Sequence, residues 1–450
     1  MKLLFTLSIT LLVYITNTAG YNYKEVVQKS LLFYEAQRSG KLPADQRVTW
    51  RKDSALNDKG VHGEDLTGGY YDAGDFVKFG FQMSFTATVL AWGLLDHEAG
   101  YEAAGSTEDC RKAIKWATDY FLKAHVSENV FYAQVGSGYV DHQYWGRPED
   151  MKMDRPAFMI NTTNPGSDLA AETAAALAAA SMVFKTVDPA YSTELLTHAK
   201  QLYTFAYKYR GKYSDAFADV RCCYNSSGYE DELVWGAAWL YRATQDKTYL
   251  QYAEAVYPPI QYYIGFNWDQ KIGGADVLLA KLTGDSKYLT KMQKYCDDTL
   301  ANQQRTPKGL IFIAEWGSLM TTQYLMEICL ETAALGVNAE KYRAEAKKQV
   351  DYILGDTGFS YVVGFGSKYP THVSHRAASC PDLPATCDWT QFSTTQPNPQ
   401  VLTGALVGGP GVNDDYADVR SDYVHNEVDT VYNAGFQSVV ATLIELGYSD

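Results

Sequence analysis

The sequence predicts an all-α fold, a single domain in which helical hairpins close into a ring. Apolar residues recur at three- and four-residue intervals along most of the 450-residue chain. The segment 244–250, TQDKTYL, returns as TGDSKYL at 283–289, 39 positions later, which is the length of a helical hairpin. Strand patterns are sparse and short, and no Pro- or Ser-rich linker divides the chain. A closed ring hides every apolar face, whereas an open solenoid needs polar end caps that this sequence lacks.

Helical spacing occurs in many segments, which in chain order are 23–35, 85–95, 110–124, 169–184, 191–209, 233–243, 272–282, 286–302, 318–335, 338–354 and 432–446. Segment 169–184 is rich in alanine, so neighbouring helices can approach it closely. Long loops interrupt this pattern at 37–83, 126–166, 303–310 and 355–431. Because 355–431 is too long for a mere connector, and loops on a rigid scaffold carry function, we expect functional residues there.

The first 20 residues have the pattern of a signal peptide. Lys2 precedes an apolar run at 3–15, and small residues follow at 18–20. The run is too short to span a membrane, and no later run qualifies, so we expect a secreted protein. Asn161 and Asn225 begin glycosylation sequons, which are credible on a secreted chain. The net charge of −14 argues against nucleic acid and anionic membranes as partners and suits a neutral polymer.

Seven cysteines are present, and some should pair in an oxidising compartment. Cys380 and Cys387 flank a Pro-containing loop and are the one pair that we predict. The pairing of the others stays open: Cys110, Cys222, Cys223, Cys296 and Cys329. No spacing of Cys and His resembles a zinc site.

The stretch 68–75, GGYYDAGD, is the strongest candidate for chemistry. It places Asp72 and Asp75 three residues apart among turn-forming residues, and two such acids disturb each other's ionisation. Hydrolysis of a glycosidic bond needs one ionised carboxylate for water and a separate protonated acid for the leaving group. Glu427 is a plausible distant acid. The alternative is that Asp72 and Asp75 cap a helix or bind calcium.

Several motifs occur in an order that resembles glycoside hydrolase family 9, a cellulase family. Segment 68–80 resembles its opening motif, 144–151 and 165–170 resemble internal motifs, and 422–428 with 432–435 resemble its closing signature. The resemblance covers residues 21–448 and is greatest to the digestive endoglucanases of animals. It implies a single (α/α)6 barrel over 21–450, with long active-site loops and no carbohydrate-binding module. Secretion into a digestive tract or saliva, and a monomeric state, are the family's habits.

The resemblance also implies an inverting attack on β-1,4-glucan. Asp75 would be the general base, and Asp72 would hold the same water and keep the proton affinity of Asp75 low. Glu427 would protonate the departing oxygen, with roughly 6.5–9.5 Å between base and acid. No cofactor is needed for this chemistry. The residues at family positions for sugar binding are His142, Trp316, His375, Arg376 and Tyr423.

The chain departs from the family pattern at several positions near the expected sugar subsites. Ser374 stands where a His is expected and Met320 where an Arg is expected. Phe76, Gln82 and Asp429 also replace the usual residues. These changes left two alternatives open. One is the same machinery shifted to xyloglucan, xylan or glucomannan; the other is a catalytically weak, glycan-binding or repurposed protein.

A structural calcium is a further implication of the resemblance. The matching residues are Ser227, Gly228, Asp231 and Glu232, with Asp269 as a fifth. Carboxylate and backbone oxygens are ligands that calcium prefers. The alternative is an ordinary helix start with acids in its first turn.

Overall fold

The computed structural model of the chain describes residues 20–257 and 265–448. The predicted signal peptide, apart from Gly20, lies outside the described residues. The helices are α1 (Tyr23–Gln37), α2 (Gly80–Asp96), α3 (Glu98–Ala103), α4 (Thr107–Ala124), α5 (Gly138–Asp141), α6 (Ser167–Phe184), α7 (Pro189–Lys208), α8 (Tyr213–Ala216), α9 (Glu230–Thr244), α10 (Thr248–Val256), α11 (Ile272–Thr283), α12 (Ser286–Asn302), α13 (Ser318–Ala334), α14 (Ala339–Asp351), α15 (Arg376–Ser379), α16 (Trp389–Ser393), α17 (Tyr423–Asn426) and α18 (Thr430–Glu445). Short 3₁₀ helices at Pro148–Asp150 and Ala218–Cys222, and a π-helical turn at Tyr352–Asp356, complete the helical structure of the described residues.

Six helices form a closed inner ring. In order around the ring they are α2, α6, α9, α11, α13 and α18, and α18 packs back on α2. Each inner helix carries an outer partner: α4 packs on α2, α7 on α6, α10 on α9, α12 on α11, α14 on α13 and α1 on α18. The predicted (α/α)6 barrel is therefore confirmed.

The sequence separates inner from outer helices by the width of their apolar face. Every residue of α6 except Met182 is buried, and α2 and α18 are buried almost throughout. Helix α6 has the length and hydropathy of a membrane span, yet 94% of it is buried inside the protein. The outer helix α4 buries one face only. A helix that is apolar all round belongs in the interior, whereas an amphipathic one suits the outer layer.

The repeated segment is a repeated turn between an inner helix and an outer one. Helix α9 ends on Gln245 and α11 ends on Gly284, both with left-handed backbone (φ 61° and 70°). An aspartate then accepts a backbone N–H of the next helix: Asp246 from Thr248 and Asp285 from Lys287, each at 2.9 Å. The two similar segments, 244–250 and 283–289, therefore contain the same type of helix C-cap followed by the same type of helix start.

A small antiparallel sheet, which the sequence did not predict, supports the opening motif. Its strands are β1 (Lys78–Phe79), β2 (Phe131–Val135) and β3 (Ala157–Ile160), in the order β1-β2-β3. Lys78 pairs with Val135 and Phe131 with Ile160. Because β1 begins three residues after Asp75, the sheet anchors the end of the turn that carries Asp72 and Asp75.

Two disulfides are present in the described residues. Cys380 is bonded to Cys387, the pair expected from the sequence. Cys296 is bonded to Cys329 and ties α12 to α13, a pairing that the sequence left open. Cys110, Cys222 and Cys223 are free thiols.

Candidate active site

A cleft of about 670 Å³ lies where the inner helices begin. Asp75 precedes α2, Tyr224 precedes α9, Trp268 precedes α11, Trp316 precedes α13 and Asp429 precedes α18, and all five line the cleft. Five of the six inner helices therefore direct their N-termini, where backbone N–H groups are unpaired, toward one site. The cleft is also lined by His142, Trp145, Ser374, Arg376, Met320, Trp389, Phe392, Tyr423 and Glu427.

The turn that carries the two aspartates is held by backbone hydrogen bonds. The Gln37 side chain donates to the carbonyl of Ala73 at 2.7 Å, and the Thr430 N–H donates to the carbonyl of Asp72 at 3.2 Å. Gly74 lies against the long loop 355–431, called the closing loop below, where a Cβ would stand 2.2 Å from the Ser374 carbonyl oxygen. Only glycine permits this approach, which brings the opening motif into contact with that loop.

Asp75 lies among hydrogen-bond donors and cations. Its Oδ1 accepts the backbone N–H of Val77 at 2.9 Å, and its Oδ2 is 3.4 Å from Nε2 of His142. Burial opposes ionisation, but the hydrogen bond from His142 and the charge of Arg376 prevail and lower the pKa of Asp75. The same hydrogen bond raises the pKa of His142. Asp75 is thus the carboxylate that stays ionised.

Asp72 meets the opposite surroundings. It is 3% exposed, its Oδ2 shares a hydrogen bond with the Tyr224 hydroxyl, and its buried Oδ1 has no hydrogen-bond partner in the described part of the chain. Burial raises the pKa of Asp72 well above its ordinary value, and the carboxyls of Asp429 and Asp75 raise it further. A carboxyl placed in this way favours its neutral form.

Glu427 lies three residues before α18, and its backbone makes two contacts. Its carbonyl accepts the N–H of Gly408 at 2.9 Å, and its backbone is bridged to that of Ser374. Burial raises the pKa of Glu427 to about 8, with added contributions from the charges of Asp75 and Asp429. Glu427 is therefore protonated at neutral pH and able to act as an acid.

Arg376 connects the closing loop to the opening turn. Its guanidinium forms an ion pair with Asp141, and its backbone N–H donates to the carbonyl of Gly74 at 3.1 Å. Asp141 also accepts the N–H of Phe76 at 3.2 Å. Arg376 is thereby fixed beside Asp75, in a place where it can favour the ionised form of that carboxylate.

Aromatic rings line two sides of the cleft. Trp316 and Tyr423 are about half exposed (52% and 51%), and their ring centroids lie 5.5 Å apart. A second group packs together at 4.8–5.6 Å and comprises Trp145, Trp389 and Phe392. Exposed rings of this kind are platforms on which a sugar ring can stack.

His375 is not placed as the sequence analysis expected. It is 2% exposed, its Nε2 is 2.8 Å from Gln37 Oε1, and its Nδ1 accepts the N–H of Ala378 at 3.0 Å. Both ring nitrogens are therefore used inside the protein. The expectation of a sugar contact is wrong for this residue because its side chain turns away from the cleft to hold the closing loop.

The departures from the family pattern fall into two groups. Ser374 and Met320 line the cleft, so they shape the surface that meets the substrate. Phe76 packs with Tyr71 and Ala377 behind it. Gln82 is fully buried in α2, and neither its side-chain nitrogen nor its oxygen has a hydrogen-bond partner among the described residues.

Sequence reasoning missed two residues that lie beside the predicted acids or beside a side chain that acts on them. Tyr224 contacts Asp72, and Asp141 pairs with Arg376. The sequence pointed to these two residues only through their neighbours: Tyr224 precedes the glycosylation sequon at Asn225, and Asp141 precedes His142. Neither signal indicates a direction for the side chain.

The residues expected to bind calcium lie at the start of α9 and in the loop before α11. The Ser227 N–H donates to Asp269 at 2.8 Å, and Asp231 accepts the Lys271 N–H at 2.7 Å. Glu232 pairs with the buried ammonium of Lys271 at 3.1 Å through one oxygen, while its other oxygen is buried without a hydrogen-bond partner in the described chain. That unpaired oxygen, beside two further carboxyls, fits a cation with oxygen ligands.

Asp75, Asp141 and His142 are the one group of three in the described residues whose ligand-type atoms all lie within 4.8 Å of one another. Asp141 is already paired with Arg376, and Asp75 with a backbone N–H. We assign this group to proton chemistry because its negative charges are already balanced by protein cations.

Comparison with known proteins agrees with this geometry. The family model for glycosyl hydrolase family 9 matches residues 23–440. The fold is similar to that of the endoglucanase of the termite Nasutitermes takasagoensis, with 62% identity, a TM-score of 0.94, and 95% of this chain and 99% of that chain covered. It is also similar to the cellulase Cel9M of C. cellulolyticum in complex with cellobiose, with 33% identity, a TM-score of 0.89 and the same coverage.

A curated relative extends the comparison. Endoglucanase A of Bacillus pumilus is 45% identical over 448 residues, which cover 95% of this chain and 67% of that protein. A model match over most of the chain, together with relatives of this identity, shows the family. The chain belongs to glycosyl hydrolase family 9.

Proposed function

We propose that this protein is an inverting endo-β-1,4-glucanase that cleaves internal bonds of cellulose-type glucans. The observation that carries the proposal is one cleft holding an ionised Asp75 and, in Glu427, an acid that keeps its proton to a pH of about 8. The relatives named endoglucanase and cellulase, one of them bound to cellobiose, support the substrate class. They do not favour xyloglucan, xylan or glucomannan as the substrate, or a repurposed glycan-binding protein.

The reaction needs one proton removed and one supplied. Asp75 removes a proton from a water molecule, whose oxygen attacks the anomeric carbon from the face opposite the leaving group. Glu427 donates its proton to the departing glycosidic oxygen, so the bond breaks without a free alkoxide. Asp72, neutral beside Tyr224, helps to hold the water without adding a second negative charge next to Asp75.

The working pH range follows from the two acids. Asp75 has a lowered pKa and stays ionised into the acidic range, whereas Glu427 loses its proton as the pH rises through about 8. Activity is therefore expected across acidic and neutral pH and should fall on the alkaline side.

The test combines product stereochemistry with two substitutions. Proton NMR of the first products released from cellohexaose should show the α-anomer, because one displacement inverts the β-linkage. Asp75→Ala and Glu427→Gln should each lower kcat on carboxymethylcellulose by on the order of 10²–10⁴-fold. Asp188→Asn is the matched control, since Asp188 caps α7 on the exposed surface and lies outside the cleft. Initial release of the β-anomer, or undiminished turnover by Asp75→Ala, would refute the proposal.

His142, Arg376, Trp316 and Tyr423 are the sugar contacts that we propose, and all four line the cleft. Ser374 and Met320 lie on the same surface. Ser374 is smaller than the His of the family pattern, and Met320 lacks the charge of the expected Arg. A panel of carboxymethylcellulose, lichenan, xyloglucan, xylan and glucomannan tests their effect. We expect carboxymethylcellulose to be cleaved well; activity confined to xyloglucan, xylan or glucomannan would show that these two residues rebuilt the subsites.

We propose a structural calcium ion held by Ser227, Gly228, Asp231, Glu232 and Asp269. The support is the unpaired buried oxygen of Glu232 and the crowding of three carboxyls, since burial and the charge of Asp231 raise the pKa of Glu232 well above its ordinary value. Calcium should raise the melting midpoint and a chelator should lower it. If the ion binds there, Asp269→Asn should lose this response, and its melting midpoint should be the same with and without chelator. A parent protein whose midpoint does not respond to chelator would count against the site.

Secretion, glycosylation at Asn161 and Asn225, a digestive or salivary location and a monomeric state stay predictions from the sequence. Asn225 is exposed, as a glycosylated residue must be. N-terminal sequencing and glycosidase treatment of the protein from culture medium test the first two.

A further inference from the structure

One phenol hydroxyl lies between two buried carboxyls at the floor of the cleft. The Tyr224 hydroxyl is within hydrogen-bond distance of Asp72 Oδ2 and is 3.4 Å from Asp429 Oδ2. A tyrosine hydroxyl carries a single hydrogen, so it can donate to only one of the two. For the other contact to be a hydrogen bond, that carboxyl must bring a proton of its own.

The backbone indicates which carboxyl carries the proton. Asp429 is the N-cap of α18, and its Oδ1 accepts the N–H of Val431 at 2.7 Å, an arrangement that favours the anion. Asp72 has no such donor, and its Oδ1 is buried without a hydrogen-bond partner in the described chain. An unpaired oxygen is less costly on a neutral carboxyl than on a carboxylate.

We propose that Asp429 is a positioning residue for catalysis, which keeps Asp72 protonated through Tyr224. Asp72 donates to the phenol oxygen of Tyr224, and Tyr224 donates its own hydrogen to Asp429. The negative charge of this group then rests on Asp429, the member capped by α18, and not on Asp72, which lies three residues from the base. Asp75 is left as the ionised carboxylate of the opening turn.

The electrostatics of the surrounding groups agree with this arrangement. Burial raises the pKa of Asp429 to about 7, although the Val431 hydrogen bond lowers it, and Asp429 in turn raises the pKa values of Asp72 and Glu427. The ionisable side chains that interact with Asp72 or Asp429 are Asp75, Glu427, Tyr324 and Tyr432. The cations His142 and Arg376 act on Asp75 and Glu427.

The position also differs from the family pattern, in which a small residue is expected at 429. The proposal therefore concerns this chain and not the family in general. It rests on the proposed function only for its activity measurement, because the protonation state can be observed directly.

The first experiment counts protonated carboxyl groups by infrared spectroscopy at pH 8, above the pKa of about 7 to which burial raises Asp429. Asp429→Asn keeps the side-chain oxygen that caps α18 and removes the acid. Without the neighbouring charge, and with the Tyr224 hydrogen free to bond to Asp72, Asp72 should ionise. The difference spectrum should therefore show the loss of one protonated-carboxyl band. Asp72→Asn should remove the same band, whereas retention of the band in Asp72→Asn would place the proton on Asp429 and overturn the proposal. Asp188→Asn, which removes an acid from an equivalent N-cap of α7 outside the cleft, should leave that band intact.

The second experiment measures kcat/KM against pH. The charge of Asp429 helps Glu427 to retain its proton, so Asp429→Asn should move the alkaline limb to lower pH, by on the order of one pH unit. Tyr224→Phe interrupts the same connection, so the double substitution should shift the limb by less than the sum of the two single shifts. A purely structural role would lower kcat without moving the limb.

Retention of the carboxyl band in Asp429→Asn would overturn proton sharing, and an unmoved alkaline limb would overturn the positioning role. These failures differ from a failure of the proposed function. If Asp75 and Glu427 were not the base and acid, the infrared band would still disappear in Asp429→Asn, while Asp75→Ala and Glu427→Gln would keep their turnover.

Discussion

Asp72 and Asp75 are three residues apart in one turn, yet the protein gives them opposite surroundings. Asp75 faces His142, Arg376 and a backbone N–H, and its pKa is lowered. Asp72 faces Tyr224 and a second carboxyl, and its pKa is raised. The comparison teaches that a pair of acids in a sequence motif does not define two equal catalysts. The groups packed against each acid decide which of them carries charge.

The largest expected effect separates the two acids directly. Asp75→Asn should lower kcat by on the order of 10²–10⁴-fold, because the proton acceptor is lost. Asp72→Asn should cost at least about tenfold less, because an amide resembles a neutral carboxyl. Both are measured as reducing-sugar release on carboxymethylcellulose, with the melting midpoint as a control for folding. Equal losses in the two variants would contradict the division of roles.

A smaller effect is expected from removing the positive charge beside Asp75. Arg376→Met removes a charge that favours ionised Asp75, so the pKa of Asp75 should rise and the acidic limb of kcat/KM should move to higher pH. Arg376→Lys keeps the charge and should move that limb less, although it fits Asp141 less well.

Removing one partner of the buried Arg376–Asp141 pair should also destabilise the fold, by about 3–5 kcal/mol in comparable pairs. The double variant Arg376→Met/Asp141→Asn is therefore the necessary companion, since it leaves no unpaired buried charge. An acidic limb that stays in place in both Arg376→Met and this double variant would show that Arg376 does not act on Asp75.

The smallest effect concerns the aromatic platforms. Trp316→Ala removes an exposed ring beside Tyr423 and should raise KM by roughly 2–10-fold, equivalent to about 0.5–1.5 kcal/mol of stacking. Trp389→Ala removes an equally exposed ring from the other platform and is the matched variant. Neither should move the pH limits, which would confirm that the carboxyl surroundings and the sugar platforms act separately.

Much of the fold could be predicted from the sequence because its signals are local. Periodicity located most of the barrel helices, and the repeated TxD turn indicated stacked hairpins. The boundaries shifted by a few residues, as at α2, which begins at Gly80 and not at 85. The sheet β1–β3 was missed because its strands have two to five residues, too few for alternation to show.

The catalytic site was predicted in part. The sequence singled out Asp72, Asp75 and Glu427 by their motifs; the structure places Asp75 and Glu427 on one cleft and buries Asp72 beside Tyr224. It did not show that His375 turns inward to Gln37, or that Tyr224 contacts Asp72. Side-chain direction depends on partners hundreds of residues away, which no local pattern contains.

The sequence by itself determined the ring of hairpins and the family, and it singled out Asp72, Asp75 and Glu427 as candidates, because apolar periodicity and short motifs are properties of neighbouring residues. Only the tertiary structure decided which acid is ionised. Asp75, Tyr224 and the neighbouring Glu427 and Asp429 come from three separate segments, and they meet because the segments before five of the six inner helices line one cleft. The protonation state of each side chain depends on its burial and on the charges of the residues that the fold places next to it.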